Sequence, residues 1–233
     1  SEHPQISLSN IKENNFFHSF RYDWNNEYYL RNKIREFCFK LGKYQKKIIL
    51  SRYYRNCERK DGKLSGDGSV SYFRSRGMAK RIKTFLPDAM LIIMLRNPVD
   101  RIYSHFWMNC KQKSGAHRYN SFEHFIDEGG WRRRGNMYAE NLSEWLKYFS
   151  INQICIIQSE KFFLNPLKEL HSISEFLGID DFIPANTHNV IPHGQKNHDY
   201  PPMQEKTRNR LLNLFSYQQF HLKELTGINF NWF

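Results

Sequence analysis

The chain has 233 residues, with 35 Lys and Arg against 23 Asp and Glu and a formal net charge of +12 at pH 7. That length suits one domain, or one domain with a lobe, around a substantial core. The charge predicts attraction to polyanions such as nucleic acid, anionic glycans, nucleotides or acidic membranes. No uninterrupted apolar run approaches ~20 residues, which excludes a transmembrane helix within the chain, and no signal peptide is visible.

In chain order, residues 6–8 are expected as a short strand or extended segment leading into a turn over 12–17. Residues 26–42 have helical spacing, with Tyr28, Tyr29, Ile34, Phe37, Phe39 and Leu41 as core candidates. The apolar stretch 47–51 reads as a second strand, and 55–68 as an exposed, Gly-containing loop. Met78, Ile82 and Phe85 mark a helix over 75–86, closed by Pro87-Asp88.

The next segment is the most informative. Leu91 to Leu95 is a continuous apolar run bounded by Arg96-Asn97-Pro98, which predicts a strand buried on both faces, as in a parallel sheet. A helix follows to about Asn109, then a basic loop over 111–119. Helices are expected at 122–128 and at 138–149, the latter with Leu142, Trp145, Leu146 and Phe149 on one face. A buried strand at 154–158, a helix at 166–177 closed by Gly178, a loop at 184–202 and a terminal helix or helix pair at 204–225 complete the chain. Strands alternating with helices give the class: α/β with a parallel sheet.

Arg96 would stand at the carboxyl end of a buried strand, and Ser104 about two turns into the next helix. Ligands of open α/β sheets bind at that end, and a guanidinium converging with a hydroxyl suits a phosphate. The plainer alternative has Arg96 pairing with an acid and Ser104 as an ordinary helix residue. The four cysteines (Cys38, Cys57, Cys110 and Cys155) form no CxxC pair, which argues against zinc and for reduced thiols. Aromatic residues make up 16% of the chain without interleaved basic spacing, so they read as core rather than a base-stacking surface.

The segment from Arg96 to Phe106, RNPVDRIYSHF, resembles the 3′-phosphate-binding segment of sulfotransferases that use 3′-phosphoadenosine 5′-phosphosulfate. It is most similar to the heparan-type and bacterial carbohydrate branch, whose usual form is RNPVxRxxSxY. The resemblance implies a P-loop-NTPase-like α/β fold over residues 1–233 as a single domain, with a central parallel sheet and helices on both faces. It also implies that Arg96 and Ser104 bind the donor's 3′-phosphate.

His3-Pro4-Gln5-Ile6 followed by Lys12-Glu13-Asn14-Asn15-Phe16-Phe17 is similar to the family's HPxI…KExHFF, in which the Glu is the general base. Glu13 takes that role by resemblance, with Lys12 beside it as a substrate contact. Asn15 replaces the family's His. The segment 66–73 resembles the family's GEKSPSYL, with Ser69 and Ser71 as donor or acceptor contacts and Gly68 in place of a Lys. Gly135, Tyr138, Leu142 and Trp145-Leu146 match RGxYxxxLxxWL, which turns Tyr138 toward the cofactor or leaves it a packing aromatic. Residues 193–202 resemble the late loop over the donor phosphates, with Lys196 as a phosphate contact and His198 in place of an Arg. Phe230-Asn231-Trp232 matches the family's FxW ending, read as structural.

The GxxKxGTT-like donor loop, which grips the 5′-phosphosulfate, occurs nowhere in the sequence. The chain opens at Ser1 without a Met, so that loop and its strand are expected upstream. The expected activity is transfer of a sulfuryl group to a hydroxyl or amine, on a glycan, without a metal. A catalytically degenerate fold that binds glycan or nucleotide is the alternative. No motif supports nucleic acid binding, and no Walker A supports a nucleotide kinase. The expected compartment is the cytoplasm for a bacterial or viral protein and the Golgi lumen for a eukaryotic one.

Overall fold

The structure is a computed structural model that describes residues 3–9, 13–19, 43–56, 62–111, 119–132, 134–185 and 200–232. The expected helix over 26–42 lies outside the described residues, as do Lys12, Cys38, Cys57, Lys196, His198 and most of the basic loop after Lys111. Two compact units divide the chain, Ser1–Ala89 and Met90–Phe233.

In the first unit, β1 (Ile6–Leu8) runs parallel to β2 (Leu64–Gly66), with Ile6 opposite Leu64 and Leu8 opposite Gly66. The strand at 64–66 corrects the expectation of an exposed loop there. Its single apolar residue carries no period, and its hydrogen bonds come from a partner far away in sequence. The Leu64 amide donates to the Gln5 carbonyl at 2.9 Å, and the Ser9 amide to that of Gly66 at 3.0 Å. Three helices are described: α1 (Phe16–Ser19), α2 (Lys43–Asn56) and α3 (Met78–Phe85).

Helix α2 overturns the strand expected at 47–51. A short apolar run cannot be assigned by period alone, and its Lys, Gln and Arg flanks favour helix. Ile49 is partly covered and Tyr53, one turn on, is buried, whereas Ile48 faces solvent. The unit's core gathers around Phe17, whose ring centre lies 5.1 Å from that of Tyr53, 5.9 Å from Tyr72 and 6.1 Å from Phe85.

In the second unit, β3 (Leu91–Leu95) pairs in parallel with β4 (Ile154–Gln158), from Leu91 opposite Ile154 to Leu95 opposite Gln158. Parallel neighbours need a long crossover, here supplied by α4 (Pro98–Lys111), α5 (Phe122–Asp127) and α6 (Tyr138–Leu146). After β4 come α7 (Ser159–Leu164), α8 (Pro166–Leu177) and the long α9 (Glu205–Thr226), one helix rather than a pair. Parallel pairing in both units, with helical crossovers, is the expected α/β class. Strand β3 is covered on one face only: Ile93 and Leu95 are buried while Ile92 and Met94 are exposed. Composition suggested burial on both faces; alternation along the pleat separates them.

Apolar side chains from α4 (Val99, Ile102, Phe106), α5 (Phe122, Phe125, Ile126) and α9 (Leu211, Phe215) form the unit's main core. That absorbs much of the aromatic content, as the core reading expected. Buried Gln218 ties α9 to α6, accepting from the Ala139 amide at 2.9 Å and donating to the Glu140 carboxylate at 2.7 Å. Among the described residues no helix is long and apolar enough to cross a membrane.

Candidate functional site

Two groups of predicted site residues are described, one in each unit. In the second unit the site begins where β3 ends. Asn97 precedes Pro98, which disfavours helical conformation at Asn97 and supplies a helix start with no amide to satisfy. Asn97 therefore caps α4, its Oδ1 accepting from the Val99 amide at 2.9 Å. Arg96 thus lies at the carboxyl end of β3, partly exposed, with Ser104 partly exposed two turns into α4. Arg96 stands at the end of the sheet where ligands of α/β folds bind, and Ser104 on the helix that follows it. Among the described residues Arg96 makes no ion pair, so no strand-capping Arg–acid pair is seen among them.

Tyr138, at the start of α6, is buried, with its ring centre 6.1 Å from that of Trp232. Burial pushes that phenol up to about 12, against the opposing pull of the nearby Arg101 and Arg96 charges. Tyr138 is therefore a neutral, buried phenol near the Arg101 and Arg96 charges. Arg101 is held from the side: its guanidinium donates to Asn136 Oδ1, and Asn136 Nδ2 donates to the Trp131 carbonyl at 3.1 Å. Gly135 makes this fit, since a β-carbon there would stand 2.7 Å from Arg101 Nη2.

The sequence reading missed Glu160, in the first turn of α7. Its Oε1 accepts from the Asn97 amide at 2.7 Å, and its Oε2 from the Trp232 indole N–H at 3.2 Å. The only available signal was an acid just past a strand end. Cys110 and Cys155 are free, partly buried thiols, raised by burial, as expected for reduced cysteines.

In the first unit the turn before α1 carries Glu13. Both Glu13 and Asn15 adopt left-handed backbone, with φ of 51° and 50°. Asn tolerates that region; for Glu it costs about 1–2 kcal/mol. The Glu13 side chain is exposed and makes no hydrogen bond or ion pair among the described residues. Its turn is held from below by the segment 67–72. The Asn15 amide donates to Ser69 Oγ at 2.8 Å, and Ser69 Oγ donates to Asp67 Oδ1 at 2.5 Å. In parallel, the Phe17 amide donates to the Tyr72 hydroxyl at 3.1 Å, which donates to Asp67 Oδ2 at 3.0 Å.

Two relays thus end on one carboxylate, and Asp67 is a second residue that sequence reasoning missed. Its two-residue offset from Ser69 is an Asx-type spacing, and the Ser69 amide indeed donates to Asp67 Oδ1 at 3.1 Å. Ser71 donates to Asn15 Oδ1 at 2.5 Å, and Asn15 Nδ2 donates to the Glu13 carbonyl at 2.7 Å. The residue replacing the family's His is therefore a structural member of the turn. Burial raises the Tyr72 phenol and lowers His18, the latter helped by the Arg81 and Arg74 charges. Among the described residues no group of three or more His, Cys, Asp or Glu is placed to hold a metal ion.

Comparison with known proteins follows the same lines. A family model described as sulfotransferase domain matches residues 45–215. Human heparan sulfate glucosamine 3-O-sulfotransferase 6 is 30% identical over 124 residues, covering 51% of this chain and 36% of that protein. The bifunctional heparan sulfate N-deacetylase/N-sulfotransferase 1 of Caenorhabditis elegans is 28% identical over 174 residues, 64% of this chain and 20% of that protein. The chain thus spans well under two thirds of these relatives. A crystal structure of a sulfotransferase from Alicyclobacillus acidocaldarius superposes with a TM-score of 0.70 at 24% identity, covering 100% of this chain and 90% of that one.

Proposed function

The chain belongs to the sulfotransferase domain family, and from that premise we propose that it moves a sulfuryl group from 3′-phosphoadenosine 5′-phosphosulfate to a hydroxyl or amine of a glycan. The observation that carries this reading is Arg96: a cation with no ion pair among the described residues, at the carboxyl end of β3, with the next peptide held by Glu160 through the Asn97 amide. Arg96 and Ser104 anchor the donor's 3′-phosphate through charge-assisted hydrogen bonds.

Glu13 is the general base. As the acceptor oxygen or nitrogen attacks sulfur, its proton passes to the Glu13 carboxylate. The bond from sulfur to the bridging phosphate oxygen breaks in line, and adenosine 3′,5′-bisphosphate leaves with the electron pair. No metal is assigned a part in this step. Ser69 and Ser71 hold the Glu13 turn and present it to the acceptor, with Lys12 beside it. Lys196 and His198, in the late loop, complete the grip on the donor phosphates. The net charge of +12 draws in an anionic glycan.

The assignment is tested by calorimetry of adenosine 3′,5′-bisphosphate binding to the full-length protein. Arg96→Ala should abolish measurable binding, since a phosphate would lose its charged fork. Unchanged affinity would remove the donor site from this turn.

A further inference from the structure

Resting on the reading of Arg96 as the 3′-phosphate anchor, we propose that Glu160 and Trp232 are positioning residues that aim its guanidinium. Three residues distant in sequence close a hydrogen-bonded triangle around the turn. The Asn97 amide donates to Glu160 Oε1 at 2.7 Å, the Trp232 indole donates to Glu160 Oε2 at 3.2 Å, and Asn97 Nδ2 donates to the Trp232 carbonyl at 3.1 Å. Asn97 and Trp232 are both buried, each 8% exposed, so little water competes for these bonds.

The consequence for Arg96 follows from backbone geometry. Each residue has only two soft dihedrals, lying between two planar peptide units. The peptide on the amino side of Arg96 closes β3, where Leu95 pairs with Gln158 of β4, and the peptide on its carboxyl side is tied to Glu160 through the Asn97 N–H. With both planes held, the Cα–Cβ direction of Arg96 is set before a ligand arrives. Trp232 in turn is packed, its ring centre 4.6 Å from that of Phe230 and 6.1 Å from that of Tyr138. The FxW ending thus has a specific task in this chain: it completes the clamp on the Arg96 turn.

A carboxylate is required because both oxygens accept. In Glu160→Gln one of the two donors meets an amide NH2 instead. Trp232→Phe removes the indole donor, so the Gln can again accept from the Asn97 amide. The experiment compares adenosine 3′,5′-bisphosphate with adenosine 5′-monophosphate, which lacks the 3′-phosphate, by calorimetry on the full-length protein. Glu160→Gln should weaken bisphosphate binding about tenfold and leave the monophosphate within about twofold. Adding Trp232→Phe should return bisphosphate affinity to within about threefold of wild type. A purely structural role would weaken both nucleotides alike, and the second substitution would add to the damage; either result overturns the proposal. Bisphosphate binding unaffected by Glu160→Gln, while Arg96→Ala abolishes it, overturns the proposal and spares the donor-site reading. Affinity unchanged in Arg96→Ala removes both.

Discussion

Single residues here do their work through hydrogen-bond partners that hydrophobic period does not announce. Asp67 is the clearest case: two hydroxyls and a backbone amide converge on its carboxylate. Removing it leaves those donors unpaired under a turn already strained by the left-handed backbone at Glu13. Asp67→Ala should lower unfolding stability by about 1–3 kcal/mol while leaving adenosine bisphosphate affinity unchanged, because the donor anchor lies on other residues. Denaturant titration alongside calorimetry checks this, and a stability equal to wild type would show that the relays carry little. Glu13, Arg96 and Ser104 stood out in the sequence because their spacing resembles a known frame, and their roles are those proposed above. Glu160 and Asn136 were not legible, because what defines them is a hydrogen bond spanning residues far apart in the chain. Asp67 was not, because its own partners are local but the turn they hold is reached only through bonds from Asn15 and Phe17, far away in sequence.

At the level of elements, legibility tracked length and punctuation. The helix at Pro166–Leu177, opened by Asn165-Pro166 and closed by Gly178 with φ 65°, was read to the residue, since caps carry their own chemistry. Strands β3 and β4 were equally plain as apolar runs. Failures came where a segment was too short to show a period: β2, the six-residue α7, and the apolar stretch that became part of α2. The junctions between elements also rank the glycines. A β-carbon on Gly130 would fall within the ring of buried Phe125, whereas one on Gly66 would meet only the free end of half-exposed Leu8. Gly130→Ala should therefore cost about 1–3 kcal/mol by overpacking, and Gly66→Ala clearly less. Thermal unfolding of the two variants measures the order, and the reverse order would contradict the packing described around Phe125.

For the whole molecule, the sulfotransferase family and the α/β class were readable because one strand–turn–helix segment, RNPVDRIYSHF, carries the family resemblance in contiguous residues. The acceptor was not, because acceptor recognition is spread over surfaces that no contiguous motif encodes. The named relatives divide in the same way, one transferring to oxygen and the other to nitrogen by their descriptions. The proposed donor anchor and the proposed base lie on separate parts of the chain, so each can be disabled alone. The most direct measurement is transfer of radiolabelled sulfate from 3′-phosphoadenosine 5′-phosphosulfate to a panel of heparan-type glycans by the full-length protein and by Glu13→Gln. The account predicts labelled glycan with the wild type, at least about 100-fold less with the variant, and equal donor-product binding by both. Equal transfer by the two proteins, or none by the wild type to any glycan of the panel, would contradict it.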